Sequence, residues 1–348
     1  MKVLYSLLVF IPVAIIGHFI GFNDVLMFIF SALSIVPLAG LMGKATESVA
    51  YYVGSKWGGF LNATFGNATE IIIGIMGLKA GLFDVVKSSI VGSVMGNILL
   101  VLGLSMLCGG LKYKTQSFNK SAVTVTSSML LFAVLGLCIP AIFTYTMPDK
   151  ILTTQYEGVN IILAIVLLLI YVAQIIFTFF THKDMLSDDT EEEMEKPNWS
   201  VKVSVLILIV STVFIAILSE FFVGAVEPMA EQVGLPLTFT GIILVPIIGN
   251  AAEHSTAIIM ALKNRMNIAI EIALGSSLQI ILFVAPLLIL VSLVWQPMSI
   301  IFTPFELVSV FASVLIANKL VEDGKSNWIE GFMLVAIYIV LGTMFFIV

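Results

Sequence analysis

Gly66-Asn67-Ala68-Thr69-Glu70 and Gly249-Asn250-Ala251-Ala252-Glu253 are two copies of one polar pentad, set 183 residues apart inside apolar surroundings. The match continues without a gap: Gly92-Ser93 aligns with Gly275-Ser276, and Ile98-Leu99 with Ile281-Leu282. Residues 66–105 and 249–288 share 11 identities in 40. Apolar helices supply chance matches of Ile, Leu and Val. They do not supply a repeated Gly-Asn-Ala-x-Glu followed at equal distance by Gly-Ser, so the chain reads as an internal duplication.

The surroundings of the pentads identify the solvent. Of 348 residues, 59% are hydrophobic and 11% charged, with a mean hydropathy of +1.11, whereas soluble domains carry about 25% charged residues. Apolar runs recur at the length of roughly 20 residues that a helix needs to cross a hydrocarbon core of about 30 Å. Eleven transmembrane helices are expected near 3–20, 24–43, 58–79, 84–108, 120–141, 157–181, 199–222, 237–262, 267–294, 301–319 and 327–348, giving an all-α polytopic membrane protein. The lipid bilayer is therefore the main partner. Nucleic acid is not one, and Cys108 and Cys138, which lack metal or redox spacing, read as small core residues.

Placing the N-terminus inside puts Lys2, Lys44, Lys56, Lys112, Lys114, Lys120, Lys183, Lys196, Lys202, Lys263, Arg265, Lys319 and Lys325 on the cytoplasmic side. Lys79, Lys87 and Lys150 fall outside. That asymmetry sets the orientation, with the C-terminus outside. Trp57, Trp199, Trp295 and Trp328 fall near helix ends, where interfacial anchors belong.

The third span corresponds to the eighth, an odd offset of five, so the two copies run in opposite directions. The expected organisation is a lone helix in 1–22, a five-helix repeat over 23–182, an acidic linker at 183–198 and an inverted five-helix repeat over 199–348. Inverted repeats with a site between them at the midplane are the usual construction of secondary transporters.

Ionisable groups within a membrane helix are costly and need a partner or a purpose. In each pentad, Asn stands three residues before Glu, on one helical face. If the repeats meet at the centre, Glu70, Glu253, Asn67 and Asn250 form an all-oxygen cage with two negative charges. Ser93 and Ser276, with Asn97 and Gln279, supply a second tier one helix later. Hard divalent cations favour such oxygens, and calcium accepts their irregular geometry. A carboxylate left without its cation in a low-dielectric cavity takes up a proton more readily, so cation and proton would compete for the same oxygens. Spacing alone leaves sodium open as the counter-ion. A structural use of one buried Glu is the plain alternative, and two symmetric copies with the same Asn speak against it. For the serines and amides of the second tier, ligation and helix-to-helix bonding stand equal.

At these residues the chain resembles the calcium/cation:proton exchanger family, within the superfamily that includes sodium/calcium exchangers. The resemblance extends over essentially the whole chain. Sodium/calcium exchangers typically carry Gly-Thr-Ser-x-Pro-Glu here, and neither pentad has the Thr-Ser pair or the Pro, which favours proton coupling. The resemblance implies that Glu70 and Glu253 bind calcium and protons alternately, with Asn67, Asn250, Ser93, Ser276 and Gln279 nearby. It also implies that the second and seventh helices slide against the rest. It makes the chain a calcium/proton antiporter working by alternating access, with no cofactor.

The repeats differ where Gln279 meets Gly96 and where His254 meets Ile71. His254 would assist proton movement or serve as a hydrogen-bonding support. Glu47, near the cytoplasmic end of the second helix, and Glu227 and Glu231, near the external end of the seventh, are candidate entrance acids, with solvated helix-end carboxylates as the alternative. The run from Asp184 to Glu195 reads mainly as a solvated linker; its spacing is not that of an EF-hand loop. An enzyme is disfavoured, since no metalloprotease-type His-Glu-x-x-His occurs, and the chain has no P-loop. A channel would need a continuous pore, whereas inverted repeats favour alternating access. The first span begins after two residues, leaving no room for a regulatory tail, so a prokaryotic plasma membrane is expected. Homo-oligomerisation and stoichiometry stay open.

Overall fold

The computed structural model describes residues 5–146, 155–182, 197, 199–299 and 301–347. Eleven helices run through these residues. They are α1 (Leu7–Ile20), α2 (Asp24–Val53), α3 (Ser55–Phe65 and Ala68–Lys79), α4 (Phe83–Tyr113), α5 (Lys120–Thr146) and α6 (Gln155–Ile176, continued by Phe177–Thr181). Then follow α7 (Val201–Val233), α8 (Leu237–Gly249 and Ala251–Leu262), α9 (Met266–Ser292), α10 (Pro304–Leu320) and α11 (Trp328–Ile347). Among the described residues, seven helices are long and apolar enough to cross a bilayer, or eight when the bent pair in α8 counts as one span. The chain is thus a multi-pass integral membrane protein.

One expectation changes in detail. The second and seventh spans, expected to stop at 43 and 222, run on to Val53 and Val233. Polar residues around the expected ends find partners: the Lys44 ammonium donates to Tyr5 Oη, and Glu220 pairs with Lys79 at 2.9 Å. In the third and eighth spans, where Gly66 and Gly249 allow either a close backbone approach or a local break, the chain breaks, at Gly66-Asn67 and at Asn250. The acidic run 184–195 lies outside the described residues.

Tight turns reverse the chain and sort its loops onto two faces. One face carries the turns at Gly21, Gly81 and Gly234, all at positive φ. There the Gln232 amide donates to Asp24 (3.0 Å), and the Tyr145 hydroxyl donates to the Phe302 carbonyl (3.2 Å). The opposite face carries Gly54, Lys114, Asn264 and Gly324. On it β1 (Thr115–Ser117) pairs antiparallel with β2 (Lys325–Asn327). Nearby, Lys112 and the Tyr113 hydroxyl both donate to the Leu262 carbonyl (2.8 and 2.9 Å), satisfying the C-terminus of α8 with a cation and a hydroxyl. Buried Gln116 donates to the Ala261 carbonyl and to Asn264 Oδ1, both at 2.9 Å.

Apolar packing divides into two clusters. One joins α1, α2 and α7 through Ile35, Leu38, Met42, Ile215, Leu218 and Phe222, with Phe28 against Phe222 at 4.8 Å between ring centroids. The larger cluster binds α4, α5, α6 and α8 to α11. Helices approach closest at glycines, as membrane packing favours. A β-carbon on Gly92 would lie 1.9 Å from the Ile242 carbonyl oxygen, and one on Gly331 would lie 2.2 Å from the Leu107 nitrogen.

Candidate functional site

Asn-Ala-x-Glu is spelt like a helix capping box, with Asn at the N-cap and Glu at the third helical position. In both copies the chain does break there: Asn67 has φ −97° and ψ 21°, and Asn250 has φ −95° and ψ 6°, followed by new half-helices from Ala68 and from Ala251. Yet neither Asn side chain caps its own helix. Both are fully buried and reach across to the other repeat. The Asn67 and Gln279 amides are hydrogen-bonded to each other, and the other end of the Asn67 amide lies 3.2 Å from Ser276 Oγ. The Asn250 amide donates to Ser93 Oγ (3.1 Å) and to the Pro246 carbonyl (3.0 Å).

The carboxylates cross over in the same way. Glu253 Oε1 lies 3.6 Å from where a β-carbon on Gly66 would sit, and Glu70 Oε1 lies 3.8 Å from the equivalent point on Gly249. Each acid thus rests against the other repeat's break. Ser276 donates to Glu253 Oε2 at 2.8 Å. Glu70 Oε2 and Asn250 Oδ1 are buried acceptors with no hydrogen-bond partner. Orphaned acceptors are costly in a low-dielectric interior, and bare oxygens on a carboxylate and on an amide of the two pentads suit a cation. A cavity lined by Glu70, Ser89, Ser93, Pro246 and Gly249 opens beside Glu70, on its side nearer the Gly81 face.

Both second-tier helices carry a π-helical stretch at the same place in the repeat, Gly96–Val101 in α4 and Ile280–Val284 in α9, just past Ser93 and Ser276. Such bulges rotate the helix locally and recur at functional sites. His254 Nε2 lies 3.1 Å from Asn97 Oδ1. This contact has no counterpart, since the matching positions are Ile71 and Ile280. The central residues of the sequence reading, Glu70, Glu253, Asn67, Asn250, Ser93, Ser276, Gln279 and His254, therefore lie in one connected cluster. Glu47, Glu227 and Glu231 do not join it: they are exposed near opposite ends of α2 and α7. Among the described residues no group of three or more His, Cys, Asp or Glu gathers, so the centre is two carboxylates with neutral oxygens.

One buried acid was not singled out from the sequence. Glu306, 4% exposed at the start of α10, accepts from the Ser88 hydroxyl (3.0 Å) and from the Thr303 backbone (2.8 Å), while Thr303 Oγ1 accepts from the Glu306 amide. The signal was legible: Thr303-Pro-Phe-Glu306 is a capping box with Pro at the first helical position. Glu306→Ala is expected to cost about 1–3 kcal/mol through the lost cap and the stranded Ser88. Glu306→Gln, which can keep both bonds, is expected to stay near wild type in a thermal-unfolding assay of purified protein.

With this geometry in hand, comparisons place the chain. A calcium/proton antiporter of Aphanothece halophytica is 43% identical over 359 residues, covering 99% of this chain and 96% of the relative. The calcium/proton antiporter ChaA of Bacillus subtilis is 43% identical over 343 residues, covering 97% and 96%. The solved structure of native YfkE superposes with a TM-score of 0.87 at 39% identity, covering 99% of this chain and 100% of that one. The sodium/calcium exchanger protein family model matches residues 23–180 and 203–347; the chain belongs to that family.

Proposed function

We propose that this protein is a secondary active antiporter that exports cytosolic calcium in exchange for protons by alternating access. Glu70 and Glu253 are the groups for which cation and proton compete, and Asn67, Asn250, Ser93, Ser276 and Gln279 build the oxygen-rich surround. The observation that carries this is the crossed placement of the two glutamates, each against the other repeat's glycine, with Glu70 Oε2 and Asn250 Oδ1 left unpartnered. The names of the relatives give the same pair of ions. His254, held at Asn97, assists proton movement.

The functional units are the lone helix 1–22, the repeats 23–182 and 199–348 and the linker 183–198. Lys112, Lys114, Lys120, Lys202, Lys263, Arg265, Lys319 and Lys325 gather toward the β1–β2 face, against Lys79 and Lys87 toward the other. That face is therefore cytoplasmic and the C-terminus external, in a prokaryotic plasma membrane. Glu47 then stands at the cytoplasmic mouth and Glu227 and Glu231 at the external one.

Calcium uptake into proteoliposomes under an imposed pH gradient, free of sodium and potassium, tests the coupling. Uptake is expected to follow the gradient, and the apparent calcium affinity is expected to fall as pH falls, because protons then occupy the shared oxygens. Uptake that ignores the pH gradient and requires sodium would replace the proton by sodium.

A further inference from the structure

We infer that the two pentads have divided their labour: Asn250 gives its side-chain oxygen to the calcium ion, whereas Asn67 is a positioning residue locked by Gln279 and Ser276. This rests on the central glutamates being the calcium site.

The orientation of Asn250 is fixed by chemistry. The Pro246 carbonyl can only accept, so the atom 3.0 Å from it is the amide nitrogen. Asn250 Oδ1 must then point elsewhere, and it is buried with no partner, like Glu70 Oε2. The chain neighbour of Asn250, Gly249, lines one cavity with Glu70, Ser93 and Pro246, and Glu70 lies against Gly249, so Asn250 stands next to the wall that carries the Glu70 carboxylate. A buried acceptor left bare is tolerated where a ligand completes it.

Asn67 is the opposite case. Both ends of its amide face a partner, Gln279 at one and Ser276 at the other. With the single Ser276 proton given to Glu253 at 2.8 Å, both ends are engaged when the Asn67 amide donates to Ser276 Oγ and its oxygen accepts from the Gln279 amide.

The difference is written in the sequence and does not depend on one conformation. Rocking an inverted repeat exchanges the environments of its two halves, which would make Asn250 the locked residue in the mirrored arrangement. The lock, however, is Gln279, and its counterpart is Gly96, which has no side chain. No arrangement related by the pseudo-twofold gives Asn250 such a partner.

Calcium titration of the purified full-length transporter at fixed pH, by calorimetry and by calcium-induced shift of Tm, tests the division. Asn250→Ala is expected to weaken calcium binding at least tenfold and to lose most of the calcium-induced Tm shift. Asn67→Ala and Gln279→Gly are expected to lower the Tm of the calcium-free protein, to weaken binding less than threefold and to keep the shift. Equal loss of affinity in Asn250→Ala and Asn67→Ala would overturn the division. Should Asn67→Ala fail to fold, Gln279→Gly carries the test alone, and a tenfold loss there would also overturn it. Glu70→Gln and Glu253→Gln, titrated in parallel, keep the two questions apart: wild-type affinity in both would remove the calcium site itself.

Discussion

Glu70→Gln and Glu253→Gln are each expected to abolish gradient-driven calcium uptake, a loss of at least about 100-fold, or roughly 2.8 kcal/mol. Glutamine keeps the volume of the side chain and one carbonyl oxygen, so packing against Gly249 or Gly66 survives. What goes is one of the two negative charges that offset the dehydration of a doubly charged ion, and with it a group that can carry a proton back. The loss should be symmetric, because each carboxylate sits on the opposite repeat's break. Uptake assays on reconstituted protein, with unfolding temperature as the control for folding, decide this; uptake persisting in both variants would show that the ions pass elsewhere.

The second large effect concerns a glycine and its repeat partner. Gly92→Ala is expected to destabilise the protein by about 3 kcal/mol or more, since the added β-carbon would lie 1.9 Å from the Ile242 carbonyl oxygen and 2.6 Å from its carbon. Both are backbone atoms, and no rotamer change can clear them. Gly275→Ala, at the matching position, meets nothing within 4 Å and should be tolerated, with a small gain from helix propensity of up to about 1 kcal/mol. Comparing the yield of folded protein and the Tm of the two variants reads the contrast directly. Gly92 is therefore required at the contact between α4 and α8, while Gly275 makes no such contact in this structure.

Much of this was legible before any coordinates. Long apolar runs in lipid have few structural options, because every backbone polar group must be satisfied within the segment, so helices and their order followed from composition. The pentads stood out because polar residues in such runs are expensive, and repetition at a constant offset removes chance. What stayed hidden depends on partners distant in sequence. Nothing near Asn97 or Ile280 announces a π-helical stretch. The orientation of Asn250 is set by Pro246 and Ser93, one local and one 157 residues away. The full reach of α2 and α7 was missed because both helices carry polar residues past the apolar run, to Val53 and Val233, and the partners of Lys44 and Glu220, Tyr5 and Lys79, are distant in sequence. Glu306 carried a local signal in its capping box, but its engagement of Ser88, 218 residues earlier in the chain, did not.

The crossed pairing of the two breaks also has a consequence for biosynthesis. Asn67 and Gln279 are 212 residues apart, and the strands at 115–117 and 325–327 are nearly as remote from each other. A chain made from its N-terminus therefore inserts α3, with Glu70 and Asn67 at membrane depth, long before the residues that will shield them exist. Early intermediates must keep that polar face turned toward water, toward the insertion machinery or toward other helices, because exposure to hydrocarbon is penalised. Completion of α9 closes the polar centre, and the arrival of β2 then fastens the loops of the β1–β2 face. Assembly is in that sense gated by its last third, and truncation within α9 to α11 should leave a chain marked for quality control by its own unfinished binding site.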